Sequence, residues 1–336
     1  MTTQFTYVRP SSLPDAVSHL QSENARIHAG GTDLLGCLRD EVFPAAKLVS
    51  ISGLAELRGI RKTADNGLAI GALTTIAEVA AHPLIREQYA ALSQGAASVG
   101  SPQLRNQGTL GGNLCQKPRC WYYRGEFHCL RKGGDVCYAV NGENQYHCIL
   151  GGRDCFIVHP SDTAPALLAL GAYLRVAGPG GSRTVAMEDF FVPPAEDVSR
   201  ETVLKPGEIV TEIVLPQATA ALRSSYRKVR ARQSWDFALA GAALAIEQEG
   251  GLVTRARVVL SGAAPVPWRA REVEEIITDS ALETAVVRRA AAAAMERAVP
   301  LGKNGYKVAL FQGMLEEELE KMRIICWPQE GVFQSF

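Results

Sequence analysis

The sequence predicts an α+β protein, with α/β units in the first two thirds of the chain and a sheet with helices in the last third. Two patterns of strand followed by helix, one near residue 30 and one at residues 67–81, predict the α/β units. Three strand-like runs and a long Ala-rich region, within residues 225–299, predict the sheet and its helices. Between these regions lies a cysteine-rich segment, residues 115–155, which holds six of the eight cysteines.

Composition excludes several classes of function. Lys+Arg and Asp+Glu number 35 each among 336 residues, so no net charge favours binding to nucleic acid or to an anionic membrane. No run of residues is apolar and long enough to predict a membrane span, and the N-terminus has no secretory pattern. Abundant cysteine without an export signal predicts a cytoplasmic protein, with co-export to the periplasm alongside a signal-bearing partner as the alternative.

The first unit combines a helix, a strand and a glycine turn. Ser12 is typical of a helix cap, residues 25–29 resemble a strand, and residues 34–38 a second helix, before a strand at residues 47–52. Gly30 and Gly31 would let the backbone approach a pyrophosphate, and the following helix would present free N–H groups. A plain connecting turn is the alternative, since neither a Walker loop nor a Gly-x-Gly-x-x-Gly fingerprint is present.

The second unit continues with helical sequence at residues 84–99 and a glycine-rich loop at residues 104–114, for which a turn between strands is the alternative. Ser161 or Asp162 opens the next helix, so capping and cofactor contact both remain open. The hairpin and strand that follow end the unit near Gln217. The elements predicted beyond the glycine-rich loop are the hairpin 172–185, turning at 178–181, and the strands 209–215, 225–229, 238–247 and 256–260, followed by the helical region 272–299.

Lys228 and Arg230 occupy one of the predicted strands in the last third. They could reach a phosphate or a flavin, but a solvated basic strand is the simpler interpretation.

The cysteine-rich segment predicts a metal centre. Thiolates at this density repel one another unless a cation or a cluster neutralises them. Zinc is an alternative, because His128 and His147 lie beside the thiols, but no Cys-x-x-Cys pair is present. A disulfide knot suits small secreted domains better than a chain of this length. Gaps of 5, 9, 8, 11 and 7 positions bring each sulfur from a separate turn, which favours an iron–sulfur cluster.

The glycine motifs, taken in order with Ser161-Asp162, resemble the FAD-binding subunit of molybdenum hydroxylases, the xanthine dehydrogenase and carbon monoxide dehydrogenase group. The matching pieces are residues 29–34, residues 105–114 and Ser161-Asp162. The resemblance implies a two-part FAD-binding domain of the vanillyl-alcohol-oxidase/PCMH type with an iron–sulfur loop insertion, followed by a C-terminal domain with a three-stranded antiparallel sheet and helices. The implied domains are residues 1–55, residues 56–217 with the insert at 115–155, and residues 222–330.

The resemblance also implies the residues of the cofactor sites. The cysteine insert is similar to a branch that holds an additional 4Fe-4S cluster, as in bacterial three-subunit aldehyde oxidoreductases and in the beta subunit of 4-hydroxybenzoyl-CoA reductase. Its four thiolate ligands map onto Cys120, Cys129, Cys137 and Cys155, which leaves Cys115 and Cys148 spare. The implied FAD-binding residues are Ile27, His28, Ala29, Gly30, Gly31, Thr32, Asp33, Leu34, Thr109, Leu110, Gly111, Gly112, Asn113, Asp162 and Lys228.

The function implied is electron transfer, with no catalytic acid or base on this chain. A molybdenum-cofactor large subunit would oxidise an aldehyde, and a 2Fe-2S small subunit would relay electrons to FAD. An external acceptor such as ferredoxin, a quinone or oxygen would then receive them. Three alternatives remain: a reductase of the 4-hydroxybenzoyl-CoA type, a zinc-stabilised structural module without turnover, and a self-contained flavin oxidase, for which the sequence shows no substrate pocket with acid–base groups.

Overall fold

A computed structural model describes residues 4–324 and shows a mixed α/β chain, as the sequence predicts. None of the helices in these residues combines the length and the apolar character that crossing a bilayer requires. Three sheets follow one another along the chain, with three, five and four strands. The cleft described below is bounded by residues that belong to all three.

The first sheet has three parallel strands in the order β1-β3-β2. The Ser12 hydroxyl accepts a hydrogen bond from the Asp15 N–H at 3.3 Å, so the first helix is capped as predicted. Parallel strands need a crossover between them, and the second strand therefore runs through Gly30-Gly31 into a helix. The elements are β1 (Thr6–Val8), α1 (Leu13–His19), β2 (Ala25–His28), α2 (Leu34–Arg39) and β3 (Lys47–Ser50).

The second sheet has five antiparallel strands in the order β4-β5-β8-β6-β7. A large core, which includes the fully buried Tyr89 and Phe190, joins this sheet to the helices that cover it. The elements are β4 (Ile60–Lys62), β5 (Leu68–Gly71), α3 (Ile76–Ala81), α4 (Pro83–Gln88), α5 (Ala90–Ala97), α6 (Pro102–Gln107), α7 (Leu110–Leu114), α8 (Trp121–Arg124), α9 (Thr163–Ala169), β6 (Tyr173–Gly178), β7 (Gly181–Ala186) and β8 (Ile209–Leu215).

The glycine-rich segment 104–114 differs from both forms expected of it, a loop and a turn between strands. It consists of the end of α6 and the whole of α7, which meet at Gly108-Thr109. The Thr109 hydroxyl accepts a hydrogen bond from the Gly112 N–H at 3.2 Å and so caps α7. This cap stabilises a helical turn despite the low helix propensity of Gly111 and Gly112.

The cysteine-rich segment is mostly irregular and is held at both ends. Near its start, Tyr123 and Cys129 are buried against Cys37 of α2. Near its end, the N–H groups of Ile149 and Leu150 donate to the Ala263 carbonyl oxygen at 2.9 and 3.0 Å. The segment therefore bridges the first and third sheets.

The third sheet has the order β12-β11-β10-β9 and is antiparallel. The three predicted strands correspond to the three long ones, and a strand of two residues adds a fourth at the edge. One face of the sheet packs against the helices in a separate apolar core. The elements are β9 (Leu222–Val229), β10 (Ala240–Glu249), β11 (Leu252–Ser261), β12 (Trp268–Arg269), α10 (Arg271–Ile277), α11 (Thr284–Ala293) and α12 (Tyr306–Ile324).

The prediction of one helical region at residues 272–299 was too simple. Asp279 has a φ of +57°, and its N–H donates to the Val253 carbonyl oxygen at 2.8 Å, so the chain leaves α10 before it starts α11. The sequence analysis also missed β1, β4 and α12. Residues 325–330 of the predicted C-terminal domain lie outside the described residues.

Candidate functional site

A cleft of about 940 Å³ opens beside the Gly30-Gly31 turn. Its lining includes thirteen of the fifteen residues proposed for FAD. The other two are His28 and Leu110. The His28 ring packs edge-on against Tyr7 with centroids 5.8 Å apart, and Leu110 is fully buried in the core between the second sheet and its helices. The thirteen are Ile27, Ala29, Gly30, Gly31, Thr32, Asp33, Leu34, Thr109, Gly111, Gly112, Asn113, Asp162 and Lys228.

The first glycine turn forms a cradle of unengaged main-chain donors. A Cβ atom on Gly30 would lie 2.1 Å from the Gln107 carbonyl oxygen, and Gly31 has a φ of +73°, so both positions require glycine. Across residues 4–324, the N–H groups of Gly30, Gly31, Thr32 and Asp33 donate to no protein acceptor. Consecutive free N–H groups in such a turn make a concavity that suits an anion. The turn therefore fits a diphosphate.

The second glycine segment contributes space rather than main-chain donors. The Gly111 N–H donates to the Ala72 carbonyl oxygen at 2.9 Å, and a Cβ atom on Gly111 would lie 2.9 Å from the Ala72 side chain. Asn113 Oδ1 accepts hydrogen bonds from the hydroxyls of Ser161 at 2.5 Å and Thr163 at 2.7 Å. Those two bonds fix the amide, and its nitrogen has no acceptor among the described residues.

A buried ion pair lies at the same cleft. Asp162 Oδ2 accepts from Lys228 Nζ at 2.8 Å, and Asp162 Oδ1 accepts from the Tyr226 hydroxyl at 2.7 Å. The side chains of Asp162 and Lys228 are 6% and 3% exposed, so the interpretation of Lys228 as part of a solvated strand was wrong. Burial raises the pKa of Asp162, against the opposing effect of the Lys228 ammonium.

The choice between Ser161 and Asp162 as helix cap is also decided. The Ser161 hydroxyl accepts a hydrogen bond from the Ala164 N–H at 3.0 Å and therefore caps α9. Asp162 makes no cap bond, which leaves its carboxylate for Lys228 and Tyr226.

Several residues at the cleft were not found by sequence reasoning. Trp235 and Phe237 line its mouth and are 64% and 41% exposed. Arg119 and Arg124 also line the cleft and were not predicted; both bind the carboxylate of Asp33, which points toward the cysteine-rich segment. The run of basic and aromatic residues at 226–237 is the sequence feature that could have indicated a binding site at the mouth of the cleft.

The thiols fall into two environments. The seven cysteines within the described residues are all free. Cys115 lines the cleft, whereas Cys120 lies 3.3 Å from His147 Nε2. Burial, with contributions from the neighbouring thiols of Cys155 and Cys137, raises the pKa of Cys120 to about 12.

The thiol arrangement does not form a site for a single metal ion. Across residues 4–324, no three His, Cys, Asp or Glu side chains form a group that could hold one. Cys129 is buried, in an apolar cluster that Cys120 also touches. Cys148 is fully buried and has a raised pKa, mainly because of burial and then because of Cys155.

Comparisons with known proteins agree with this arrangement. Residues 3–218 match the family model described as the FAD binding domain in molybdopterin dehydrogenase. Residues 224–322 match the CO dehydrogenase flavoprotein C-terminal domain. The chain belongs to the FAD-binding medium-subunit family of molybdenum hydroxylases. It is thus a flavoprotein subunit of an oxidoreductase, and FAD is its cofactor.

Relatives within this medium-subunit family align over nearly the whole chain. The aldehyde oxidoreductase FAD-binding subunit PaoB of Escherichia coli K12 is 35% identical over 95% of this chain and 98% of its own length. The carbon monoxide dehydrogenase medium chain of Hydrogenophaga pseudoflava is 26% identical over 96% of this chain and 98% of its own length. A solved structure of carbon monoxide dehydrogenase from that organism, lacking the Mo-pyranopterin moiety of its molybdenum cofactor, gives a TM-score of 0.76 at 26% identity. It covers 96% of this chain and 99% of its own.

Proposed function

We propose that this chain is the FAD- and 4Fe-4S-carrying electron-transfer subunit of a heterotrimeric molybdenum-cofactor oxidoreductase, which oxidises an aldehyde on a partner subunit. The observation that carries the proposal is the cleft, where the free N–H groups of the first glycine turn share one cavity with the Asp162–Lys228 pair. The choice of an aldehyde is supported by the 35% identical relative, which is described as an aldehyde oxidoreductase subunit.

Two sets of hydrogen-bonding groups on this chain fit FAD. The N–H groups of residues 30–33, which have no protein acceptor within residues 4–324, would bind the diphosphate. The Asn113 amide and the Asp162 carboxylate would bind hydroxyl or ring groups. Tyr226 and Lys228 hold Asp162 in place. When bound, the flavin exchanges an electron pair for single electrons, and the chain's residues bind and orient it.

In our proposal Cys120, Cys129, Cys137 and Cys155 hold the 4Fe-4S cluster. Each thiolate of such a cluster binds a different iron, so the four sulfurs need not converge on one ion. The set is taken from the family pattern, and no three His, Cys, Asp or Glu side chains of residues 4–324 form a group that could hold a metal ion. Cys115, which faces the flavin cleft, stays outside the set. Cys148 is excluded by the family pattern, and iron retention after its replacement tests that exclusion.

We infer that the partners are a large subunit with molybdenum cofactor and a small subunit with 2Fe-2S clusters. The external acceptor would be ferredoxin, a quinone or oxygen. In this proposal the complex lies in the cytoplasm, or in the periplasm if a signal-bearing partner exports it. The partner assignment rests on the family to which the chain belongs.

The test is anaerobic purification of the chain with its partners, followed by an absorption spectrum and by iron and zinc analysis. Electron paramagnetic resonance of the dithionite-reduced protein then identifies the cluster. We expect one flavin and about four irons on this subunit, and bleaching of the flavin band when an aldehyde is added. Stoichiometric zinc without flavin would overturn the proposal in favour of a structural module. Activity toward a hydroxybenzoyl-CoA thioester but not toward aldehydes would replace the substrate assignment.

A further inference from the structure

Asp33 belongs to the glycine turn of the cleft, but its side chain binds the cysteine-rich segment. Asp33 Oδ2 accepts from the Lys117 N–H at 2.7 Å. Asp33 Oδ1 accepts from the guanidinium groups of Arg119 at 2.9 Å and Arg124 at 2.7 Å. The carboxylate is 17% exposed, which limits screening of these contacts by water. The same residue thus presents its main-chain N–H to the cleft and its carboxylate to the segment.

The donors to Asp33 bracket one proposed cluster ligand. Lys117 and Arg119 precede Cys120 by three residues and one residue, and Arg124 follows it by four. Arg124 also donates to the carbonyl oxygens of Pro118 at 2.8 Å and Lys117 at 3.1 Å. These bonds fix the path by which the chain enters the segment. The position of Cys120 therefore depends on the position of Asp33.

Glu201 provides a second tether between the cleft wall and the segment. Its carboxylate accepts from Arg131 Nη1 at 2.7 Å and also from Lys117 Nζ. The side chain of Arg131 is 2% exposed, and its guanidinium also donates to the Arg200 carbonyl oxygen at 3.4 Å. Two carboxylates that line the cleft thus hold four basic side chains of the segment.

We propose that Asp33 is a positioning residue that couples flavin binding to assembly of the metal centre, so that each cofactor raises the affinity of the chain for the other. This inference rests on the proposed function. A diphosphate bound by residues 30–33 fixes the backbone of Asp33, and the fixed carboxylate then orders the segment around Cys120. Because linkage is reciprocal, an assembled metal centre holds the turn ready for the diphosphate.

The experiment measures this coupling on the full-length chain, purified anaerobically. FAD affinity is determined by flavin fluorescence on the iron-loaded protein and on the same protein after iron is removed with a chelator. We expect the iron-loaded form to bind FAD about 5-fold or more tightly than the iron-free form, the lower end of typical coupling between sites. The affinity of the chain for iron, measured by competition with the chelator, should rise by the same factor when FAD is present.

Three variants locate the coupling. Asp33→Asn keeps the shape of the side chain but removes its charge, and it should reduce the ratio of the two FAD affinities to within about 2-fold. Arg124→Gln removes one partner of Asp33 and should give an intermediate ratio of the two FAD affinities. This variant tests the coupling if Asp33→Asn does not fold. Asp65→Asn is the matched control, because Asp65 does not line the cleft and its carboxylate accepts from the Thr63 hydroxyl. It should keep the wild-type ratio.

The outcomes separate the inference from the proposed function. Equal FAD affinities of the iron-loaded and iron-free wild-type protein would overturn the coupling and leave the FAD and cluster assignments intact. Loss of the ratio in Asp65→Asn as well as in Asp33→Asn would overturn the assignment to Asp33. A wild-type chain that binds FAD but never holds iron would overturn the cluster proposal, and the coupling with it.

Discussion

Replacing Lys228 with methionine should destabilise the protein strongly, because it leaves the Asp162 carboxylate buried without its cation. Both side chains are almost completely buried, with the ammonium 2.8 Å from the carboxylate and 3.1 Å from the Ser98 carbonyl oxygen. Breaking one partner of a buried pair typically costs about 3–5 kcal/mol of unfolding free energy. The Tyr226 hydroxyl, which still donates to Asp162, keeps the expected loss toward the lower value.

The loss should depend on pH in a definite direction. Burial already raises the pKa of Asp162, and removal of Lys228 raises it further. The folded variant therefore holds a proton on Asp162 at pH values where the unfolded chain has lost it. Its deficit relative to wild type is then smallest below the folded pKa of Asp162 in the wild type, where both folded proteins hold the proton. The deficit grows as pH rises toward the folded pKa of the variant.

The assay is denaturant-induced unfolding of the flavin-free chain at about pH 5 and about pH 8. Lys303→Met is the matched control, because its ion pair with Glu143 is half exposed on both sides and should contribute less than about 1 kcal/mol. Asp162→Asn together with Lys228→Met should recover part of the loss, since no charge is then left buried. A Lys228→Met loss no larger than that of the control at about pH 8 would refute the argument that the pair is energetically coupled.

Three further predictions concern the glycines, the amide and the thiols. Gly30→Ala should abolish flavin retention, because its Cβ atom would meet the Gln107 carbonyl oxygen. Gly313→Ala, which has open space around it inside α12 and lies outside the cleft lining, should retain flavin and stabilise the chain by about 0.5–1 kcal/mol. Asn113→Ala should cost about 1–3 kcal/mol and lower FAD affinity, measured by unfolding and by fluorescence titration, because two hydroxyls lose their acceptor. Iron analysis of single Cys→Ser variants should show loss of iron at four positions and retention at two; the four are Cys120, Cys129, Cys137 and Cys155, and the two are Cys115 and Cys148.

The sequence correctly predicts those local features of the site that depend only on residues within one short segment. The Ser12 cap, the strand before Gly30-Gly31 and the helix after it all follow from residue types a few positions apart. The helical structure of residues 104–114 was not predicted, because glycine disfavours helix. The Thr109 cap and the contact of Gly111 with Ala72 nevertheless stabilise a short helix. The order of motifs, rather than any one motif, indicated the family.

Contacts between distant segments could not be predicted in this way. Asp33 meets the backbone of Lys117 across 84 positions and the side chain of Arg124 across 91. Lys228 meets Asp162 across 66 positions, and nothing in its basic strand distinguishes it from a solvated lysine. Such pairs depend on how the sheets pack, which a single sequence does not reveal. The resemblance assigned Asp33, Asp162 and Lys228 to the site, but the contacts that join them to distant segments could not be predicted from the sequence.

The distribution of the site over three sheets explains why these long-range charges matter. The N–H cradle follows a strand of the first sheet, Asp162 precedes a helix of the second, and Lys228 lies on a strand of the third. A ligand that contacts all three stabilises only the arrangement in which the sheets are packed together. The cysteine-rich segment bridges the first and third sheets through Asp33 and Ala263, so ordering it restricts the same arrangement. Flavin binding and ordering of the cysteine-rich segment thus favour the same packing of the three sheets, and a coupling between them needs no further conformational change.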